Sequence, residues 1–76
     1  MLTGKTFRLK TAVLAIENID GDRTAVSLPK GAIIRVTSGP TETDTRMVDL
    51  RWMDRHVVMF AIDIQERGEE IKEAAL

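Results

Sequence analysis

The chain lacks the residues with which very small domains are often reinforced. Its 76 residues include no cysteine, which excludes both disulfide bonds and a zinc site with thiolate ligands. A chain of this length is one domain, which we place at residues 1–76, below the size at which a core stabilises a fold comfortably. The hydrophobic residues, 43% of the chain, must therefore stabilise the fold alone or with the help of a second subunit.

Long apolar runs and a surplus of one charge are also missing. No stretch approaches the roughly 20 apolar residues of a transmembrane helix. Arg8, Lys10 and Thr11 interrupt the N-terminal segment, so it does not have the pattern of a signal peptide. We therefore expect a soluble, cytoplasmic protein that does not contact a membrane. The net charge of −1 excludes a globally basic nucleic-acid-binding protein, but it is compatible with a local basic face.

The chain does contain short runs in which apolar and polar residues alternate, which is the pattern of β-strands. The first two runs, residues 7–10 and 14–17, are out of phase by one residue. A bulge or break near residues 11–12 would place both apolar sets on one face. Asp20 and Gly21 follow, and this pair predicts a tight hairpin turn.

Two later segments, residues 30–36 and 48–64, carry most of the remaining apolar residues and are separated by a polar loop at residues 38–45. Their alternation predicts an inward row consisting of Ile34, Val36, Val48, Leu50, Val57 and Met59. The same phase predicts an outward set of apolar residues consisting of Ile33, Met47, Met53, Val58 and Phe60. The inward row specifies a core, and the outward set is where a binding function should be sought.

The pattern changes period towards the C-terminus. Asp63 followed by Glu66 three residues later fits the start of a helix with a side-chain cap. Gly68 is expected to end this helical turn in a left-handed conformation. Residues 69–76 fit a short terminal strand, a helix or a frayed tail.

The order of these segments resembles that of SH3-like small β-barrels. The resemblance covers residues 25–64 and rests on the Leu28-Pro29-Lys30-Gly31 corner, the strands around residues 32–36 and 48–52, and the single helical turn before the last strand. The chain also resembles small uncharacterised bacterial proteins of similar length. The resemblance implies an all-β fold, a five-stranded antiparallel barrel with one short helical turn near the C-terminus. These are architectural features, which by themselves do not define a function.

The outward apolar residues predict a non-catalytic interaction module that binds a protein partner or itself. Methionines and an aromatic residue on one sheet face are typical of association surfaces. The candidate interface residues are Ile33, Met47, Met53, Val58, Phe60 and Trp52. Two alternatives remain: Trp52 is in phase with the inward row and fits a lid over one end of the core, and loops or the C-terminal segment could cover the outward face. Aromatic residues are too few, with none at residues 18–23, for recognition of proline-rich peptides.

A basic strand face is the alternative site, and it would bind RNA or DNA. The candidate residues for nucleic-acid binding are Arg35, Arg46, Arg51 and Arg55. Asp49 and Asp54 are interleaved among them, so cross-strand ion pairs on a solvated face explain the same pattern.

We find no pattern that indicates catalysis, a metal or a cofactor. His56 is the only histidine, and one histidine with one nearby carboxylate does not make a metal site. Residues 18–22 imitate the start of a calcium loop but lack its later ligands, so they indicate a turn. We expect no enzyme activity from a single chain. A site formed between subunits would have His56, Asp54 and Asp63 as its acid-base groups.

Overall fold

The computed structural model describes residues 2–43 and 45–72, and these form strands with a single short helix. In chain order the elements are β1 (Thr6–Leu9), β2 (Val13–Ile19), β3 (Asp22–Leu28), β4 (Ile33–Ser38), β5 (Met47–Trp52), β6 (Arg55–Phe60), α1 (Ala61–Arg67) and β7 (Gly68–Ile71). The expected all-β class is confirmed. The expected hairpin turn is also present, with Asp20 and Gly21 both at positive φ between β2 and β3.

The strands form one antiparallel sheet in the order β3-β2-β6-β5-β4-β1-β7. Within the described residues, β3 and β7 are its two edges and the sheet does not close on itself. The prediction of a five-stranded barrel is therefore wrong in strand number and in closure. The two additional strands arise because residues 6–19 form two separate strands and because the C-terminal segment adds β7.

The break between β1 and β2 does not shift the alternation of the chain, because odd-numbered residues face the core on both strands. Val13, Ala15 and Glu17 face the core side of β2 and are buried, whereas Leu14 is 67% exposed and Ile16 is partly exposed. The expectation that the apolar sets of both runs share one face is therefore wrong. Phe7 and Leu9 on β1 keep a spacing of two with Val13 and Ala15 on β2, so no bulge shifts the phase and Leu14 and Ile16 stay on the opposite face.

The core lies on one face of the sheet, where α1 also packs. All six residues of the predicted inward row are buried, together with further residues of the sheet and of α1. Among the described residues, the buried core consists of Phe7, Leu9, Val13, Ala15, Leu28, Ala32, Ile34, Val36, Val48, Leu50, Val57, Met59, Ala61 and Ile64. We call this side of the sheet the inner face and the opposite side the outer face.

The short helix begins and ends differently from the expectation. It starts at Ala61 without a side-chain cap, and Asp63 lies in its first turn, 3.6 Å from Arg67 Nε. Gly68 is extended at φ −103°, not left-handed, because the chain continues directly into β7. A side chain at Gly68 would place Cβ 2.6 Å from the carbonyl oxygen of Ile64. Glycine is therefore required here for its lack of Cβ.

The C-terminal segment pairs with the first strand of the chain. β7 is antiparallel to β1, with Thr6 opposite Ile71 and Leu9 opposite Gly68, so residues 69–71 form a strand. Residues 73–76, which the sequence left undecided, lie outside the described residues. In the part of the chain that the structure describes, no helix has the length and hydrophobicity needed to cross a membrane.

Candidate binding surface on the outer face

Five apolar side chains come together on the outer face of β2, β5 and β6. Met47 lies opposite Phe60, and Val58 lies opposite Ile16, in the registers of the β5–β6 and β2–β6 pairs. Leu14, two residues before Ile16, extends the same row on β2. We call this set the apolar patch: Leu14, Ile16, Met47, Val58 and Phe60. Leu14 and Phe60 are 67% and 46% exposed, which is unusual for large apolar side chains grouped on a small domain.

The predicted interface residues do not all belong to this patch. Met47, Val58 and Phe60 do, whereas Ile33 lies opposite Arg8 on β1 and Met53 lies in the turn between β5 and β6. Both residues are exposed, but Arg35 and Arg51 lie between them and the patch. The predicted outward direction of the five residues is therefore observed, but the structure brings only three of them together.

A groove of about 340 Å³ runs over part of the patch. Its floor contains the side chains of Ile16, Met47 and Val58, and its wall includes Gly39 and Thr41 from the loop between β4 and β5. The remaining lining residues are polar or charged: Asn18, Arg23, Asp49 and His56. We call this the outer groove.

A second groove of about 320 Å³ lies at the end of β6 and the start of α1. It is lined by Pro40, Thr45, Arg46, Phe60, Ala61, Ile62 and Gln65. Phe60 therefore belongs both to the apolar patch and to this groove. Ile62, which is 55% exposed, extends the accessible apolar surface towards α1.

Asp49 organises the polar side of the outer groove. Its Oδ1 lies 3.1 Å from His56 Nε2, and its Oδ2 accepts a hydrogen bond of 3.0 Å from Ser38 Oγ. The backbone oxygen of Asp49 accepts a further bond of 3.2 Å from Thr37 Oγ1. These contacts lie where the β4–β5 register shifts between Val36 and Ser38.

The Ser38, Asp49 and His56 group is not arranged for nucleophilic catalysis. In a catalytic triad the histidine lies between the serine and the carboxylate and accepts the serine proton. Here the carboxylate occupies the middle position and receives both contacts. The contact of His56 is with Asp49 rather than the expected Asp54, and Asp63 contacts Arg67 on α1.

Trp52 and Arg55 lie on the inner face and form a cluster with Glu17. Arg55 Nε donates a 2.8 Å hydrogen bond to Glu17 Oε2, and Arg55 Nη2 donates a second one to Oε1. The guanidinium carbon of Arg55 is 5.1 Å from the centre of the Trp52 ring, within the range of a cation–π contact. Trp52 is partly buried and packs against the core, which fits its alternative role as a lid.

The electrostatics of this cluster are dominated by the two hydrogen bonds. They lower the pKa of Glu17 against the opposing effect of burial, and the attraction of the Arg55 charge lowers it further. The same hydrogen bonds raise the pKa of Arg55. Because its guanidinium is held by Glu17, Arg55 is poorly placed to contact phosphates.

The four arginines predicted for nucleic-acid binding do not form one continuous face. Arg35 and Arg51 are opposite each other on β4 and β5, on the outer face. Arg46 precedes β5 and lines the second groove, and Arg55 belongs to the inner cluster. The outer face instead has a basic row that sequence reasoning missed in part: Arg23, His56, Arg51 and Arg35, which lie across β3, β6, β5 and β4.

Sequence reasoning also missed Leu14, Ile16 and Arg23 as members of the outer surface. The available signal was the pair Val13 and Ala15, which keeps the spacing of two and leaves Leu14 and Ile16 on the opposite face. Arg23 directly follows the hairpin turn, and its position depends on the β2–β3 register.

Comparisons with protein-family models, with curated protein sequences and with solved structures find no match to this chain. Among residues 2–43 and 45–72, no group of three or more histidine or acidic side chains is arranged to hold a metal ion.

Proposed function

We propose that the chain is a non-catalytic interaction module whose outer face binds a segment of a protein partner that contains apolar and acidic residues. The observation that carries this proposal is the apolar patch, exposed beside a groove and bordered by a basic row. An apolar surface of this kind is costly to leave in water and is typical of a binding site.

The chemistry of the partner follows from the charges that surround the patch. Arg23 lines the outer groove, and Arg51 lies next to it on β5, opposite His56. The carboxylate of Asp49 is contacted by His56 and Ser38. The exposed charge of this surface is therefore predominantly positive. Carboxylates of a partner would meet complementary charge, and its apolar side chains would pack on Leu14, Phe60 and Val58.

Many SH3-like barrels, which the order of segments resembles, bind partners without catalysis, but the sheet of this chain is open within the described residues and architecture alone does not define a function. The ligand proposed here is nevertheless acidic and apolar. A proline-rich ligand would require clustered exposed aromatic residues, whereas Phe60 is the aromatic member of the apolar patch.

A displayed library of random peptides, selected on the immobilised chain, tests the proposal directly. We expect the selected peptides to combine large apolar residues with aspartate or glutamate. Titration calorimetry with one synthetic peptide should then show about tenfold weaker binding to Leu14→Asp, which removes roughly 1.5 kcal/mol of apolar burial and adds a repulsive charge.

Ile33→Asp is the matched control, because Ile33 is also an exposed aliphatic residue of the outer face but lies outside the patch. It should bind the peptide as the unmodified chain does. Selection of peptides without acidic residues, or equal weakening by Leu14→Asp and Ile33→Asp, would contradict the proposed surface.

Nucleic-acid binding is the second candidate function, and the observation in its favour is the Arg35 and Arg51 pair across β4 and β5. If it is correct, the chain binds duplex DNA at low salt, and the logarithm of affinity falls by about 0.9 per log unit of salt for each phosphate contact. Arg51→Glu should abolish this binding, while Leu14→Asp leaves it nearly unchanged. Absence of binding to duplex DNA and single-stranded RNA at low salt removes this candidate.

A further inference from the structure

The strand β3 is an open edge of the sheet. In the described residues it pairs with β2 alone, and this pairing runs without interruption over all seven residues from Asp22 to Leu28. The other edge, β7, has four residues. The longer edge therefore presents one side of an extended backbone to its surroundings.

The hairpin turn determines which backbone groups point outward. A two-residue turn with both residues at positive φ, as found for Asp20 (53°) and Gly21 (85°), closes on a pair that exchanges both of its hydrogen bonds. That closing pair is Ile19 and Asp22. Alternation along the ladder then directs the N–H and C=O groups of Arg23, Ala25 and Ser27 away from β2.

This edge has few of the devices that prevent pairing. Natural edge strands carry charged side chains, especially lysine, or proline or a bulge, or they are very short. In β3 the charges are confined to Asp22 and Arg23 at its start, the strand contains neither lysine nor proline, and its register with β2 has no shift. Pro29 follows only after the strand has ended.

The residues of β3 are complementary to themselves in one register. A two-fold axis at Ala25 would place Ala25 opposite Ala25 of the second copy, Arg23 opposite Ser27, and Thr24 opposite Val26. The three outward-pointing residues of each copy would form about six hydrogen bonds. A two-fold axis at Arg23 would instead place the Arg23 side chains of the two copies opposite each other, so two positive charges would repel. An axis at Thr24 or Val26 would allow only about four backbone hydrogen bonds between the copies.

We propose that β3 is a self-association edge, at which a second copy of the chain pairs antiparallel, β3 to β3, about a two-fold axis at Ala25. The dimer contains one continuous sheet. Ile16 lies beside Ala25 on the outer face, so the apolar patches of the two copies flank the junction on one side of the sheet. This interface uses the sheet edge and does not depend on the proposed partner-binding function of the outer face.

Sedimentation velocity over a concentration series, from the low to the high micromolar range, tests the proposal. We expect a reversible monomer–dimer equilibrium that Ala25→Pro abolishes, because proline removes an outward N–H without breaking the β2–β3 ladder. Ala25→Thr retains that N–H and should still dimerise. Circular dichroism and thermal melting establish that both variants fold.

Two substitutions at Ser27 test the register and also decide the question if Ala25→Pro does not fold. Ser27→Asp places a carboxylate opposite Arg23 of the second copy and should tighten the dimer, whereas Ser27→Arg should weaken it. We expect each change to be about tenfold, since a dimer contains two such pairs. Hydrogen exchange should show protection of the Arg23, Ala25 and Ser27 amides that rises with concentration.

A chain that is monomeric throughout the series would overturn the proposal. So would a dimer that Leu14→Asp dissociates while Ala25→Pro and both Ser27 variants leave it intact, because that dimer would form through the outer face. The monomeric Ala25→Pro variant should retain its affinity for the selected acidic peptide. Dimerisation through β3 and peptide binding on the outer face can therefore be contradicted separately.

Discussion

At the residue scale, Arg55 illustrates how a side chain with an apparent binding role can be committed elsewhere. In the sequence it is one of several arginines near a predicted turn. In the structure it donates two hydrogen bonds to Glu17 and covers the face of Trp52. A buried carboxylate requires such a partner, because its charge would otherwise lose the stabilisation that water provides.

The stability of the chain should depend on pH through Glu17. Its folded pKa is lowered from about 4.5 by Arg55, so the ion pair contributes its full stability above the unfolded pKa. That contribution decreases as the pH falls through 4.5 towards the folded pKa and is absent below it. Glu17→Gln should therefore lower the melting temperature at pH 7 and make it less sensitive to acid.

The measurement is thermal unfolding, followed by Trp52 fluorescence, of the unmodified chain and Glu17→Gln between pH 7 and pH values below 4.5. Glu66→Gln, at an exposed position of α1, serves as the matched control and should follow the unmodified chain. A constant difference between the unmodified chain and Glu17→Gln over the whole range would contradict the assignment.

At the element scale, the junctions between elements differ most from the sequence-based expectation. Asp63 and Glu66 have the spacing of a helix cap, yet α1 begins directly after β6 and needs no side-chain cap. Ala61 N donates to the backbone oxygen of Arg46 at 2.7 Å. A tertiary hydrogen bond thus satisfies one of the backbone donors that a cap would have satisfied.

Gly68, between α1 and β7, provides a prediction at this scale. Gly68→Ala should destabilise the fold by about 1–3 kcal/mol, since the added Cβ would lie 2.6 Å from the Ile64 carbonyl oxygen and the backbone would have to move. Urea unfolding of the variant measures this loss. An unchanged unfolding midpoint would show that the α1–β7 junction adapts easily.

Gly31→Ala separates this steric effect from backbone strain. Gly31 has φ +87°, and no neighbouring atom lies within 4 Å of the position that a Cβ would take. Alanine there costs only the left-handed conformation, about 1–2 kcal/mol. We expect Gly31→Ala to leave the contacts of β7 with β1 intact. Hydrogen exchange of the β7 amides should therefore be faster in Gly68→Ala than its loss of global stability explains. In Gly31→Ala the exchange of these amides should change only as much as the global stability does.

At the scale of the whole molecule, the two faces of the sheet differ in their exposure to solvent. The inner face contains the core, in which Leu50, Ile34 and Val48 are fully buried. The outer face exposes Leu14 and Phe60 in the apolar patch. An aliphatic residue is therefore part of the core on one face and remains accessible to solvent on the other.

Truncation of one leucine on each face measures this difference. Leu50→Ala should lower the free energy of unfolding by about 2–5 kcal/mol, because it leaves a cavity in the core. Leu14→Ala should change it by less than about 0.5 kcal/mol, since most of the side chain is already in water. Comparable losses for the two variants would mean that the outer face is covered in the native state.

The alternation of residues in β4, β5 and β6 was sufficient to predict these strands and every member of the inward row, and the Asp20-Gly21 pair was sufficient to predict the hairpin turn. These features depend on local geometry, since successive side chains of a strand point to opposite faces. Met47, Val58 and Phe60 were correctly placed on the outer face for the same reason.

The grouping of the candidate site could not be predicted, because it depends on which strands become neighbours. Ile16 joins Val58 only through the β2–β6 pairing, and Arg35 and Arg51 separate Ile33 from the patch only through the β4–β5 register. Strand order depends on long-range packing. The alternation of residues within one strand is the same whichever strand lies beside it, so it does not predict that order.

The all-β class and the row of residues that forms the core follow from hydrophobic periodicity, which is a local property of the chain. Three further features appear only in the folded chain: the open sheet of seven strands within the described residues, the pairing of Arg55 with Glu17, and the outward position of Leu14 and Ile16. Each of these depends on contacts between residues distant in the chain. The exposed edge at β3 and the apolar patch are consequences of those contacts.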